Sequence, residues 1–199
     1  TLDLAKPLYL KNGIDSEMDQ LVADMKGGKV GALLIHGINP SYSYAKAAEF
    51  NAGLIKVGLT VSFSDRLDET AAAGVTYLAP DSHYLESWND ANPRLGTYSI
   101  TQPTIRPLFD TRQFQDSLLT WIGSDSDYYT YMRGLWNAYA GANTTASLFK
   151  DFFNETLFNG VYDDPDETPK TVAFVGDVAS AAKAIKEVPA GEFELELYV

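Results

Sequence analysis

The sequence predicts an α/β fold, a Rossmann-like parallel sheet with flanking helices and a helical insertion. Three short apolar runs, Val30–Ile35, Leu59–Phe63 and Val75–Ala79, each run into turn-forming residues, as expected of parallel strands buried on both faces. The segments between them carry helical spacing, which gives a βαβαβ unit with right-handed crossovers. A block of aromatic-striped helical segments follows within 108–160.

Taken in order, Thr1–Gly13 has little periodicity and reads as an extended lead-in. Ser16 fits a helix N-cap with Asp19 in the first turn, and Met18, Leu21, Val22 and Met25 recur at helical spacing until Gly27-Gly28. The run Val30–Ile35 reads as the first central strand and ends in a turn made by Gly37, Asn39 and Pro40. A helix over Tyr44–Lys56 places Ala47, Ala48, Ala52 and Ile55 on one face, small enough for close approach to a sheet. After Leu59–Phe63, Asp68 is placed to cap a short helix through Ala73 that Gly74 closes, and Val75–Ala79 ends at Pro80-Asp81.

The segment from Asp81 to Pro107 shows no clear period and is too long for a simple connector, which marks it as functional or packed against a partner. Helices are expected over Thr111–Ile122, Ser126–Ala140 and from Thr145 to Gly160. Their apolar stripes are Phe114, Leu118, Trp121 and Ile122; then Tyr128, Tyr131, Met132, Leu135, Trp136 and Tyr139; then Leu148, Phe149, Phe152, Phe153 and Leu157. The Tyr and Trp stripe reads as core or subunit interface before it reads as a cofactor box. Val161–Lys170 is acidic and proline-bearing, a solvated turn or linker. A strand at Thr171–Val175, a helix at Val178–Glu187 and an alternating strand at Phe193–Val199 follow. Residues 1–162 are assigned to one α/β domain whose helical segment is 108–160, and 163–199 to an acidic linker and a strand-helix-strand that completes the same domain.

The 199 residues suffice for a full core. With 27 acidic and 15 basic residues the formal charge is −12 and the pI is near 4.4, which disfavours nucleic acid and anionic membrane surfaces. No apolar run approaches the roughly 20 residues needed to span a bilayer. The chain opens on Thr1 without the regions of a signal peptide, so it reads as a piece of a longer protein. There is no cysteine, hence no disulfide, thiolate metal site or cysteine-bound cluster within this span. The two histidines, His36 and His83, lack the spacing of a metal pair.

In an open α/β sheet, ligands sit at the carboxyl ends of the strands, which brings His36–Asn39, Ser62–Asp65 and Asp81–Glu86 to one edge. His36 reads either as a proton shuttle or as a side chain satisfied at a strand end. Asn39 makes either an Asx-type turn or a ligand contact. Asp65, Asp68, Glu69 and Asp81 suit ribose hydroxyls or a guanine edge, although capping equally explains Asp68. No glycine-rich phosphate loop is present, and Val175-Gly176-Asp177 is a weak substitute. Asp81, Ser82, His83, Glu86 and Ser87 lie close in sequence without forming the signature of a hydrolytic triad.

The stretches GALLIHGINPSYSY and LTVSFSDRLDETAAAGVTYLAPDSHYLESWNDANPRLGTYSITQPTIRPLFDTRQFQDSLL resemble the molybdopterin-oxidoreductase-like, iron–sulfur-binding large subunit of alternative complex III, a bacterial quinol:cytochrome c oxidoreductase. That family is related to enzymes of the dimethyl sulfoxide reductase and formate dehydrogenase type. Gly37, Asn39 and Pro40 match its Gly-x-Asn-Pro turn, Thr70-Ala71 its Thr-Ala pair, and Pro80 with Glu86 its Leu-Pro and following Glu, with Ala79 replacing the usual Leu. The resemblance implies that Gly37, Asn39, Pro40, Asp65, Thr70 and Glu86 border a molybdopterin guanine dinucleotide site. It equally implies a subunit that has kept the fold without the molybdenum cofactor, its iron–sulfur clusters lying elsewhere in the parent chain.

The expectation is therefore a non-catalytic scaffold that positions an iron–sulfur domain and binds other subunits of a membrane-attached respiratory complex, on the periplasmic side of a bacterial inner membrane. The alternatives are a cofactor-holding portion of an active molybdenum oxidoreductase and an unrelated small-molecule-binding module. A scaffold predicts a ligand edge filled from the Asp81–Pro107 loop. A cofactor role predicts an open cleft of several hundred Å³ there.

Overall fold

A computed structural model describes residues 6–10, 13–139, 146–165, 167–168 and 175–185. It contains two three-stranded sheets, one parallel and one antiparallel. Helix α1 (Asp15–Lys26) buries Val22 and Met25 and carries Asp15 and Glu17 in its first turn and Lys26 in its last, which complements its dipole. Ser16 is not its cap. The chain enters from an extended Ile14 that makes no side-chain capping bond.

Strand β1 (Ala32–Ile35) leads into a short helix α2 (Pro40–Ser43), where only a turn was expected, and then α3 (Ala47–Leu54), which lies within the helix expected over Tyr44–Lys56. Proline at the first helical position suits α2, since its missing N–H would be unbonded there anyway. Strand β2 (Leu59–Ser62), helix α4 (Glu69–Ala72) and strand β3 (Tyr77–Leu78) complete the unit. Asp68 caps α4 by accepting from Ala71 N at 2.8 Å, and Gly74 takes a positive φ after it.

The three strands are parallel in the order β1-β2-β3, with Ala32 opposite Leu59 and Val61 opposite Tyr77. β1 is therefore an edge strand of this sheet rather than a central one, and Leu34 is 43% exposed while Ile35 is buried. The central position belongs to β2, where Thr60, Val61 and Ser62 are buried. Thr60 and Thr76 satisfy one another there, each hydroxyl accepting the other's backbone N–H at 2.7 and 3.1 Å.

One face of the sheet packs on α1 and α3 through Val22, Met25, Ile35, Phe50, Leu54 and Val57. The face expected to approach the sheet is not the packed one, since Ala48, Ala52 and Ile55 are exposed and α3 buries Phe50, Gly53 and Leu54; its close approach is to α1, at Gly53. A Cβ at Gly53 would stand 2.9 Å from Met25 Cβ.

The segment that showed no period contains a hairpin, β4 (Asn89–Arg94) and β5 (Thr97–Thr101), turned by Leu95-Gly96 with Gly96 at φ 74. The lead-in joins it, since Tyr9 N donates to Pro93 O and Leu95 N to Pro7 O. On it pack α6 (Tyr128–Tyr139) and α7 (Ala146–Asn159), while α5 (Phe114–Trp121) is tied to β4 through Gln115 Nε2, which donates to Asn89 Oδ1 at 2.9 Å. The stretch read as a solvated turn supplies the third strand, β6 (Tyr162–Asp163), opposite Tyr98 and Thr97; Thr97 Oγ1 donates to Asp163 at 2.5 Å.

Ile100, Met132, Trp136, Phe149 and Phe153 form this second core. Trp121, Ile122, Tyr131, Leu135 and Leu148, expected to face inward, are exposed. Asp90 is built into the core with both carboxylate oxygens bonded, from Tyr128 Oη at 2.6 Å and Trp136 Nε1 at 2.9 Å. Burial first, and then the Asp90 carboxylate, push the Tyr128 hydroxyl well above the ordinary phenol range.

The final helix is α8 (Val178–Ala184), capped by Asp177 through Ser180 N at 3.1 Å. The strand read at Thr171–Val175, apart from Val175, and the strand at Phe193–Val199 lie outside the described residues.

Candidate functional site

The residues singled out at the carboxyl ends of β1, β2 and β3 fall into two groups. The first is a closed network around the turn after β1. Gly37 sits at φ 68, a left-handed conformation that other residues adopt at a cost. The turn then presents the Asn39 amide to α4. Its Oδ1 accepts from Thr70 Oγ1 at 2.7 Å and Thr70 N at 3.2 Å, and its Nδ2 donates to Glu69 Oε2 at 2.6 Å.

Thr70 is fully buried, and its hydroxyl also accepts from Ser41 N at 3.0 Å. Ser41 Oγ in turn donates to Asn51 Oδ1 at 2.6 Å, so α2, α3 and α4 are tied to one amide. The Glu69 carboxyl is held below its usual range, chiefly by the Asn39 hydrogen bond and then by its own backbone N–H. Pro40 is buried at the start of α2.

The second group lines an open cleft of about 370 Å³ between the ends of β2 and β3 and the following loop. Asp65, Asp81 and Glu86 bring carboxylates to it, and Leu85, Ile105 and Leu108 bring apolar wall. Asp65 is clasped in a two-pronged pair by Arg66, Nε at 2.8 Å and Nη2 at 2.9 Å, which lowers its carboxyl below the ordinary range. Glu86 holds the loop shut on itself. Its two oxygens accept from His83 N at 3.1 Å and Leu108 N at 2.9 Å.

Gly37, Asn39, Pro40 and Thr70 do not line this cleft. The six residues matched by resemblance are thus divided, with Asp65 and Glu86 on the cleft and the other four in the turn network. The loop both walls the strand ends and leaves a cavity, at the lower end of the volumes typical of small-molecule sites.

Between the two groups lies a histidine–carboxylate pair. His36 Nε2 is 2.8 Å from Asp81 Oδ2, and because a carboxylate only accepts, that nitrogen carries the proton. The imidazole stacks on Phe114, centroids 4.1 Å apart at 11°, and Phe63 meets Phe114 edge-on at 4.7 Å. The other Asp81 oxygen accepts from Ser82 N and from Phe114 N, the first amide of α5, both at 2.8 Å. Sequence reasoning placed His36 and Asp81 at one edge but had no signal for Phe114, which reaches them from 33 residues beyond Asp81.

His83 and Ser87 engage backbone instead: Leu85 N approaches His83 Nδ1 at 3.3 Å and Ser87 Oγ donates to His83 O at 3.1 Å. Asp68 is occupied as a helix cap. Among the described residues no group of three or more His, Cys, Asp or Glu side chains is placed to hold a metal ion, and no helix is long and apolar enough to cross a membrane.

No protein-family model matches the chain. Over 102 residues, 49% of its length, it is 33% identical to the menaquinone reductase molybdopterin-binding-like subunit of Nitratidesulfovibrio vulgaris. The chain spans 15% of that relative. Among solved structures it resembles acetylene hydratase from Pelobacter acetylenicus, at 21% identity and a TM-score of 0.46, over 52% of this chain and 15% of that one. The chain is thus similar in sequence to part of a molybdopterin-binding-like subunit and has an α/β fold with a parallel three-stranded sheet flanked by helices.

Proposed function

We propose that these residues form a scaffold portion of a molybdopterin-oxidoreductase-like electron-transfer subunit, one that positions an iron–sulfur domain and partner subunits without itself holding the pterin cofactor. The observation that carries this reading is the closed network at Asn39. In a dinucleotide site the amide after the first strand has donors and acceptors to give. Here both ends of that amide, the Thr70 hydroxyl and the Ser41 amide are bonded to the chain itself. Glu86 is spent in the same way on the loop.

Of the residues that the resemblance assigns to the cofactor, Asn39, Thr70 and Glu86 are therefore already bonded within the chain and do not fit it as they stand. Similarity to a subunit of a menaquinone reductase supports a place among other subunits of a complex, and the proposal places that complex on the periplasmic side of a bacterial inner membrane. Residues 163–199 belong, on this reading, to the same domain as 1–162; the pairing of Asp163 with Thr97 and the bond from Asp164 N to Gly96 O support this for the start of that segment.

One observation favours the second reading, a molybdopterin guanine dinucleotide or another small molecule held at the strand ends. The 370 Å³ cleft is open and carries Asp65 and Glu86. Molybdenum and pterin content of the intact parent protein, purified from its native host, decides between them. The scaffold reading expects neither in a complex that still oxidises quinol. Stoichiometric metal and pterin would overturn it and make the cleft a cofactor site.

A further inference from the structure

We propose a second site, unrelated to the strand-end cleft, that binds a small aryl carboxylate between α6, α7 and the residues flanking the β4–β5 hairpin. A cavity of about 320 Å³ lies there, lined by Trp88, Tyr129, Arg133 and Lys150 among others. None of its lining residues is shared with the cleft.

Arg133 sets its chemistry. Its guanidinium carbon lies 5.5, 5.4 and 5.5 Å from the ring centroids of Tyr129, Phe149 and Phe153, so three aromatic rings stabilise the cation. Its hydrogen bond is a long one, Nη1 to Tyr129 Oη at 3.4 Å. In a chain with 27 carboxylates against 15 basic side chains, neither Arg133 nor Lys150 pairs with a carboxylate among the described residues. A half-buried guanidinium with its donors largely unused among the described residues matches a planar carboxylate that accepts two parallel bonds. Lys150 adds a second positive charge at the exposed side of the cavity.

The remaining wall selects the body of the ligand. Trp88 and Tyr129 pack on one another, centroids 4.5 Å apart and tilted by 34°, and give the cavity an aromatic wall against which a ring can pack. Gln102 and Asn154 line the same cavity, and each amide can both donate to and accept from a ring substituent. The volume sits at the small end of ligand pockets, which suits a single substituted ring.

Benzoate titrated into the full-length protein, followed by tryptophan fluorescence and calorimetry, tests the assignment. Saturable binding is expected with a Kd between about 10 μM and 1 mM. Benzamide, which keeps the shape and lacks the charge, should bind at least about tenfold more weakly. Arg133→Gln should abolish binding. Lys150→Gln, at an exposed side chain with no part in the core, should weaken it about threefold to fivefold.

Affinity should also fall as pH drops through the carboxyl pKa of the ligand itself. No saturation up to about 10 mM benzoate, equal binding of benzamide, or unaltered affinity in both variants would each overturn the proposal. Displacement of benzoate by equimolar phosphate would reassign the pocket to a tetrahedral anion and overturn it as well.

Discussion

Replacing Asn39 by alanine separates a turn that holds itself together from a turn that holds a ligand. The substitution removes three hydrogen bonds. The bond to Glu69 is at the surface and contributes little. The other two satisfy the N–H and hydroxyl of Thr70, a residue with no exposed surface. An orphaned buried donor costs about 1–3 kcal/mol, and because the two share one acceptor their costs are not additive, so a loss of about 2–4 kcal/mol is expected.

In urea denaturation, with a slope of about 2 kcal/mol per molar, this moves the midpoint down by about 1–2 M without altering the slope. Asn39→Asp supplies the control. It keeps an acceptor for Thr70 but sets a carboxylate against Glu69, so its deficit relative to the wild type should be widest at neutral pH and shrink as the carboxyls protonate. An Asn39→Ala protein within about 0.5 kcal/mol of the wild type would show that Thr70 does not depend on this amide, and would refute the self-contained turn.

Three other outcomes follow from the geometry. The Tyr128 hydroxyl is raised, so the folded protein retains a proton that the unfolded chain gives up. That stability is fully present below pH 10 and is lost as pH rises towards the folded pKa; Tyr128→Phe should lack this alkaline loss when denaturation midpoints are compared across pH 9–12. Trp136→Phe leaves one oxygen of Asp90 without its indole donor and should cost about 1.5–3 kcal/mol by chemical denaturation. Gly53→Ala should lower stability by about 1–2 kcal/mol, because the strain of a new Cβ 2.9 Å from Met25 outweighs the better helix propensity of alanine; a gain in melting temperature would contradict it.

The parallel unit was legible because its signals are local. Val30–Ile35 and Leu59–Phe63 are apolar runs ended by turn residues, and Asp68 and Gly74 bracket a helix in the expected way. The hairpin was not, because Pro93 and two asparagines interrupt β4 and hide the alternation that Tyr98 and Ile100 carry in β5. Tyr162–Asp163 was read as linker because two residues in an acidic stretch have no period at all. They become a strand only through Thr97 and Tyr98. The edge position of β1 follows from strand order, which composition does not encode.

At the candidate site the sequence located the turn and the acidic residues correctly on one edge. It could not divide them. The partners of Asn39 are 30 and 31 residues away, and Glu86 is held by an amide 22 residues on.

The single carboxylate of Asp81 stands between the turn after β1 and the first amide of α5. Any separation of the parallel sheet from the helical layer at this point frees that amide to trade its hydrogen for deuterium, while the amides buried within each core keep theirs. The exchange rate of Phe114 N–H thus becomes a gauge of how firmly the two halves are latched. Measured in the presence and absence of neighbouring subunits, it would report whether assembly tightens the latch or merely uses it.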